Sequence, residues 1–302
     1  MISVFARIYN IITGKSLFIN SQGTASLAEG QYSSAITNSS LDGISGQAWI
    51  YPQWASGGTG GGVPNSFMGY WAADGSAVTY PYIILGYDTE TASDAVFILM
   101  FSQNGELDAQ SWFYAPVCDD PFDPSQFNQT ITGINQSGTG HNSWNNSTTP
   151  GFVHLAWVLD ANGAAVSNGQ ISQRGTIYWN GQKLRTYESY GAVGGGSSNP
   201  NSYTLSHWNN YDCKFGVGTY FFGQEYNIDR AGLMFGKASN ADVADWYNGG
   251  SPISLPAGLD LHYNFEDPNN YANDGAIVYN ISTLTASGGN SSIPNLDPNN
   301  YK

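Results

Sequence analysis

Residues 153–160 read V-H-L-A-W-V-L-D. In an extended chain successive side chains point to opposite faces, so Val153, Leu155, Trp157 and Leu159 share one face while His154 and Asp160 point to the other. The pattern predicts a strand with one core face. Just downstream, Asn180-Gly181 stands between Tyr178-Trp179 and Lys183-Leu184. Asn-Gly supplies the two positive φ angles of a type I′ turn, so this reads as a hairpin. Asn162-Gly163 is a similar, weaker signal.

The same short β-prone runs extend in both directions. Strands are expected over Ser3–Ile12, Gln47–Tyr51, Tyr82–Tyr87, Ala95–Ser102, Ser111–Ala115, Phe152–Leu159, Gly175–Asn180, Thr204–Ser206, Lys214–Gly218, Arg230–Gly236 and Asp260–Phe265. Turn chemistry separates them: the chain carries 37 glycines and 20 tyrosines. One helix stands out in A-S-N-A-D-V-A-D-W-Y-N-G-G. Ser239 is its N-cap, Asp242 takes the acidic N3 place of a capping box, Gly249 stops it, and Val243, Trp246 and Tyr247 form its buried stripe. Gly57–Gly62 and Gly194–Gly196 are flanked by β-patterned sequence and read as loops. Residues 1–302 are therefore expected to form one domain, with a large loop insertion at 116–150.

Composition narrows the function classes. Of 302 residues, 41% are hydrophobic and only 11% charged, enough apolar surface for a core. Nine basic against 23 acidic residues give a formal charge of −14, which repels phosphate backbones and anionic membrane surfaces. No nucleic-acid or membrane partner is expected, and no apolar run approaches the roughly 20 residues of a spanning helix. At the N-terminus Arg7 interrupts the apolar stretch and no small-residue cleavage site follows, so this segment reads as structure rather than a signal peptide. Cys118 and Cys213 stand without a C-x-x-C pair, which argues against zinc; buried thiols and one long-range disulfide are both compatible with the spacing.

Six pieces then occur in order: Gly46-Gln47-Ala48-Trp49-Ile50-Tyr51-Pro52; Phe152-Val153-His154-Leu155-Ala156; the Gly175–Gly181 hairpin; Phe215-Gly216-Val217-Gly218; Ile228-Asp229-Arg230 through Ser239 and Asp242 to Tyr247-Asn248-Gly249; and Leu261–Glu266 with Asn273-Asp274-Gly275. Together they resemble the laminin-G-like branch of the concanavalin A-like lectin and glucanase superfamily, with Phe152 in place of the usual Trp. The resemblance spans Gly46 to Gly288, except for residues 55–150. It implies an all-β fold: a concanavalin A-like jelly-roll sandwich of two antiparallel sheets, one convex and one concave, with long loop insertions and one short helix. His154 falls on the structural histidine of that family, and Asp229 on a position more structural than ligating. Members bind glycans or proteins, some through calcium, and less often cleave polysaccharide.

The residues weigh against cleavage. Glu106-Leu107-Asp108-Ala109-Gln110 invites comparison with the E-x-D-x-E strand of the glucanases, but its third position is an amide, which cannot give and recover a proton as a carboxylic acid does. No G-x-S-x-G elbow is present, the four histidines (His141, His154, His207, His262) carry no catalytic motif, and the triple-glycine loops lack G-K-[ST]. No enzyme activity and no organic cofactor are expected. Calcium is the one metal the sequence suits: C-D-D-P-F-D-P gathers Asp119, Asp120 and Asp123 in one loop, and hard cations take clustered oxygens; a solvated turn needs the same residues and no metal.

Rings in polar loops are the stronger clue. Trp54, His141, Trp144, His207, Trp208 and Tyr211 sit among Asn, Ser and Gly, where rings stack on sugar C–H faces and amides bond hydroxyls. The expected function is a non-enzymatic virion surface protein, phage-like, a capsid decoration, spike or fibre that forms a homo-oligomer, meets other virion proteins and binds host glycans. The rival readings are a secreted, extracellular carbohydrate-binding module, with or without calcium, and a divergent glucanase.

Overall fold

A computed structural model describes residues 17–19, 24–30, 41–52, 65–72, 82–88, 96–102, 110–116, 152–167, 169–190, 213–218, 226–251, 256–263, 277–278 and 291–292. In chain order the strands are β1 (Leu17–Ile19), β2 (Thr24–Gly30), β3 (Gly43–Pro52), β4 (Asn65–Ala72), β5 (Tyr82–Asp88), β6 (Val96–Ser102), β7 (Gln110–Pro116), β8 (Val153–Asp160), β9 (Gln170–Ile171), β10 (Gly175–Trp179), β11 (Gln182–Lys183), β12 (Tyr187–Tyr190), β13 (Cys213–Gly218), β14 (Tyr226–Met234), β15 (Leu261–Tyr263), β16 (Ile277–Val278) and β17 (Ser291–Ser292). The first sheet runs β1-β14-β3-β8-β10-β11, with β15 also on β14; the second runs β2-β13-β4-β5-β6-β7-β12-β9. Every described strand pair is antiparallel. The protein is an all-β sandwich of two antiparallel sheets, with one short α-helix among the described residues. The expected strands at Ser3–Ile12 and Thr204–Ser206, the 116–150 insertion beyond Pro116, Cys118 and both triple-glycine loops lie outside the described residues.

Alternation builds the core between the sheets. Ile44, Ala48 and Ile50 of β3 pair with Leu159, Leu155 and Val153 of β8, and Ile177 and Trp179 of β10 pair with Trp157 and Leu155. All are essentially inaccessible. From the second sheet come Ile83, Leu85, Phe97, Leu99, Phe101 and Phe113, and the Phe97 and Trp179 rings meet across the gap at 5.6 Å. Two glycines make room for rings: a Cβ at Gly46 would lie 2.6 Å from the Trp157 indole, and one at Gly175 would lie 2.3 Å from Phe113. The residue opposite each large ring has to be small for the layers to interdigitate.

The single core face expected of β8 is corrected by the structure. Val153 through Leu159 are all buried, His154, Ala156 and Val158 included. The reason is the helix, α1 (Asn240–Tyr247), which lies on the outer face of the first sheet and packs Val243 and Trp246 against Ala156, Val158, Tyr178, Ala238 and Leu259. Its capping box is formed: the Asp242 N–H donates to Ser239 Oγ (3.2 Å) and the Ser239 N–H to Asp242 Oδ2 (2.7 Å). Asn248 in the left-handed region (φ 44) and Gly249 (φ 62) end it. Tyr247 of the expected buried stripe is only half-buried. Trp246 Nε1 donates to the Ala257 carbonyl (3.0 Å) and the Tyr178 hydroxyl to Asn240 Oδ1 (2.7 Å), two polar anchors for the helix.

The hairpin at Asn180-Gly181 forms as expected, with φ of 47 and 73. Asn162-Gly163 is a turn of another kind: neither residue has a positive φ, and the Asn162 N–H instead bonds Asp160 Oδ1 at 2.9 Å. The last expected strands shift or shorten, Arg230–Gly236 to Tyr226–Met234 and Asp260–Phe265 to Leu261–Tyr263.

Candidate functional site

The sequence-predicted ring set, Trp54, His141, Trp144, His207, Trp208 and Tyr211, lies outside the described residues, as do Asp119, Asp120 and Asp123 and residues 106–109 of the glucanase-like run. Gln110 opens β7 in register with Ser102. Among the described residues no group of three or more His, Cys, Asp or Glu is placed to hold a metal ion.

A different aromatic surface emerges from β7, whose sequence is Q-S-W-F-Y-A-P. Phe113 fills the space above Gly175, so Ser111, Phe113 and Ala115 face the core and are buried. Trp112 and Tyr114 must then face away from it, and both are half-buried. Their ring centroids lie 5.9 Å apart with planes inclined at 35°. Antiparallel register sets Tyr187 opposite Tyr114 and Ser189 opposite Trp112 on β12, then Ile171 of β9 opposite Tyr187. Ile171 is 57% exposed, the one large hydrophobic side chain so exposed among the described residues. Met100 of β6, opposite Trp112, is buried and backs the patch.

This outer face of the second sheet offers flat apolar rings together with phenol and serine hydroxyls, a combination suited to stacking on apolar ring faces while bonding their polar edges. The sequence contained a signal for it. Three consecutive rings, Trp112-Phe113-Tyr114, cannot all enter one core face of a strand, so rings must emerge on the other.

Several described titratable groups hold the fold together. Arg174, just before β10, forms an ion pair with Glu188 of β12, both side chains fully buried, and so ties one sheet to the other. Asp229 and Arg230 pair at 2.6 Å where β14 bulges against β3, with Arg230 at φ 51. The bulge turns the Arg230 carbonyl toward Gln47, whose Nε2 donates to it at 2.8 Å. Gln47 Oε1 is thereby left to accept from His154 Nε2 at 3.2 Å, which fixes that tautomer. Burial holds His154 neutral, its pKa lowered to about 3; burial and then the Arg230 charge lower His262 to about 3. At the other end of β8, Lys237 pairs with Asp160 and its backbone N–H bonds Asp42 Oδ1.

No protein-family model and no curated protein matches the chain. Among solved structures it is similar to the receptor binding domain of botulinum neurotoxin C/D mosaic serotype, at 11% identity and a TM-score of 0.39 over 88% of this chain and 51% of that one. It is also similar to the botulinum neurotoxin serotype G binding domain (9%, 0.36, covering 92% and 56%) and to alginate lyase vAL-1 from Chlorella virus (11%, 0.26, covering 74% and 90%). The chain spans little more than half the length of the two toxin domains.

Proposed function

We propose that the protein is a non-enzymatic recognition protein that binds glycans through aromatic surfaces of a β-sandwich and self-assembles on a virion surface. The observation that carries the recognition reading is the outward pair Trp112 and Tyr114 with the exposed Ile171 beside it, rings kept at the surface of a sheet whose inner face already holds a full core. The loop rings Trp54, His141, Trp144, His207, Trp208 and Tyr211 are the further candidates from the sequence, and the Asp119, Asp120 and Asp123 loop belongs to the rival, calcium-dependent reading. The non-enzymatic part is supported by Gln110 in place of a third acid, by the engagement of Glu188, Asp229 and His154 inside the fold, and by the burial of His262. The virion setting rests on the sequence resemblance, since laminin-G-like sandwiches recur as surface components of viruses.

The test combines light scattering, with and without a calcium chelator, with retention on a panel of immobilised polysaccharides and a reducing-end assay on each. The proposal expects a chelator-insensitive oligomer, retention on at least one polymer and no new reducing ends. A monomer that melts higher with calcium supports the secreted binding module instead. Release of reducing ends overturns the non-enzymatic reading.

A further inference from the structure

His154 is fully buried. Its ring packs against both the Trp49 indole (centroids 5.2 Å apart) and the Tyr247 phenol (6.0 Å), and those two rings stack on each other at 5.9 Å. Its backbone is held as firmly: the His154 N–H donates to Asn180 Oδ1 and the Asn180 N–H to the His154 carbonyl, both at 2.8 Å. Tyr247, the last residue of α1, also rests on the hairpin turn, where a Cβ at Gly181 would come within 2.8 Å of its ring. The helix, the hairpin and the strand therefore meet at one imidazole. Nε2–H is used by Gln47, whereas Nδ1 is buried with no hydrogen-bond partner among the described residues.

The geometry points to His154 as an acid-operated latch, in which a proton taken up at Nδ1 releases α1 from the outer face of the first sheet. A second N–H at that position has no acceptor, and an imidazolium enclosed by two rings and an amide is cut off from water. Opening the helix end removes Tyr247 and lets water reach the ring. The groups that face the site are mostly uncharged: Gln47 and Trp49 from β3, Asn180 from the hairpin, and Tyr247 from α1, whose phenol burial pushes up. The charges nearby are already paired or distant. Asp229, in register with Trp49, is bonded to Arg230; His262 of β15 is neutral beside that arginine; Asp160 and Lys237 pair at the far end of β8; Asp242 and Asp245 lie on the less buried sides of α1.

The sign follows from the direction of the shift. A histidine held well below its ordinary value of 6.5 stabilises the closed form above that value, and the contribution is lost as pH falls from 6.5 toward about 3. Within that window the open form binds one more proton per exposed histidine, so the opening constant rises about tenfold per pH unit for His154 alone.

Hydrogen exchange resolved by peptide, corrected for intrinsic rate, reads this directly on the intact protein between about pH 7 and pH 4. The latch predicts that residues 239–250 lose protection as pH falls, ahead of 96–102 and 110–116, and that His154→Gln, which keeps a donor for Gln47 and cannot titrate, removes that pH dependence. Should H154Q not fold, imidazole NMR of the wild type decides: the latch predicts that the His154 ring stays neutral until the 239–250 signals change. Opening with the same pH dependence in H154Q, simultaneous loss of protection throughout the chain, or an imidazole that titrates near 6.5 with the helix still docked overturns the proposal.

Discussion

The outer faces of the two sheets start from similar sequence and end differently. On β8 the residues facing away from the sandwich, His154, Ala156 and Val158, are buried under α1; on β7 the corresponding residues, Trp112 and Tyr114, remain half-buried. What separates them is a helix more than eighty residues further along the chain. Covering one sheet turns its outer face into a second, polar-laced core, where Gln47, Ser45 and His154 must each find partners. Ser45 does so by donating to the Gly236 carbonyl at 2.8 Å and accepting the Ala238 N–H at 2.9 Å. On the second sheet Trp112 and Tyr114 stay half-buried and Ile171 is exposed, the rings on which the proposed recognition rests.

The largest test of this contrast removes the cover. Trp246→Ala empties the center of the helix–sheet contact and should cost about 3–5 kcal/mol in urea unfolding, as expected for a buried tryptophan. A loss below about 1 kcal/mol would mean that α1 is not what closes the first sheet. Next comes the layer between the sheets. Gly175→Ala pushes a methyl into the Phe113 ring and should cost about 1–3 kcal/mol by overpacking, while Gly169→Ala, with open space around its Cβ position, pays only for its φ of 75. The smallest is Ser239→Ala, which removes the capping box and should cost about 1 kcal/mol, lowering the melting temperature by a few degrees with polysaccharide retention unchanged. If retention changes too, the two outer faces are coupled rather than separate.

These contrasts also show what could be read from the sequence. The strands at Gln47–Tyr51, Tyr82–Tyr87, Ala95–Ser102, Ser111–Ala115 and Gly175–Asn180 were legible because period-two alternation and Asn180-Gly181 are local signals, and the α1 cap was legible in Ser239 and Asp242 for the same reason. The second burial of β8 was not, because V-H-L-A-W-V-L-D does not say whether Ala156 and Val158 meet solvent or a distant helix. Strand β9, two residues long, owes its pairing to neighbors rather than to propensity, and the expected strand Asp260–Phe265 shortens to Leu261–Tyr263. The engagement of Arg174 with Glu188 and of Asp229 with Arg230 depends on tertiary placement and on a bulge. Trp112 and Tyr114 were legible in principle, from three successive rings on one strand, whereas the loop rings and the Asp119, Asp120 and Asp123 cluster fall outside the described residues.

The central claim is that the face of the second sheet that carries Trp112 and Tyr114, not the helix-covered face of the first, is the recognition surface. It is tested most directly by comparing wild type and Trp112→Ala for retention on the polysaccharide that binds best, with melting curves run alongside. The account predicts at least tenfold weaker retention, about the 1.4 kcal/mol of one lost hot-spot ring, with the melting temperature nearly unchanged. Undiminished retention by a stably folded Trp112→Ala would contradict it.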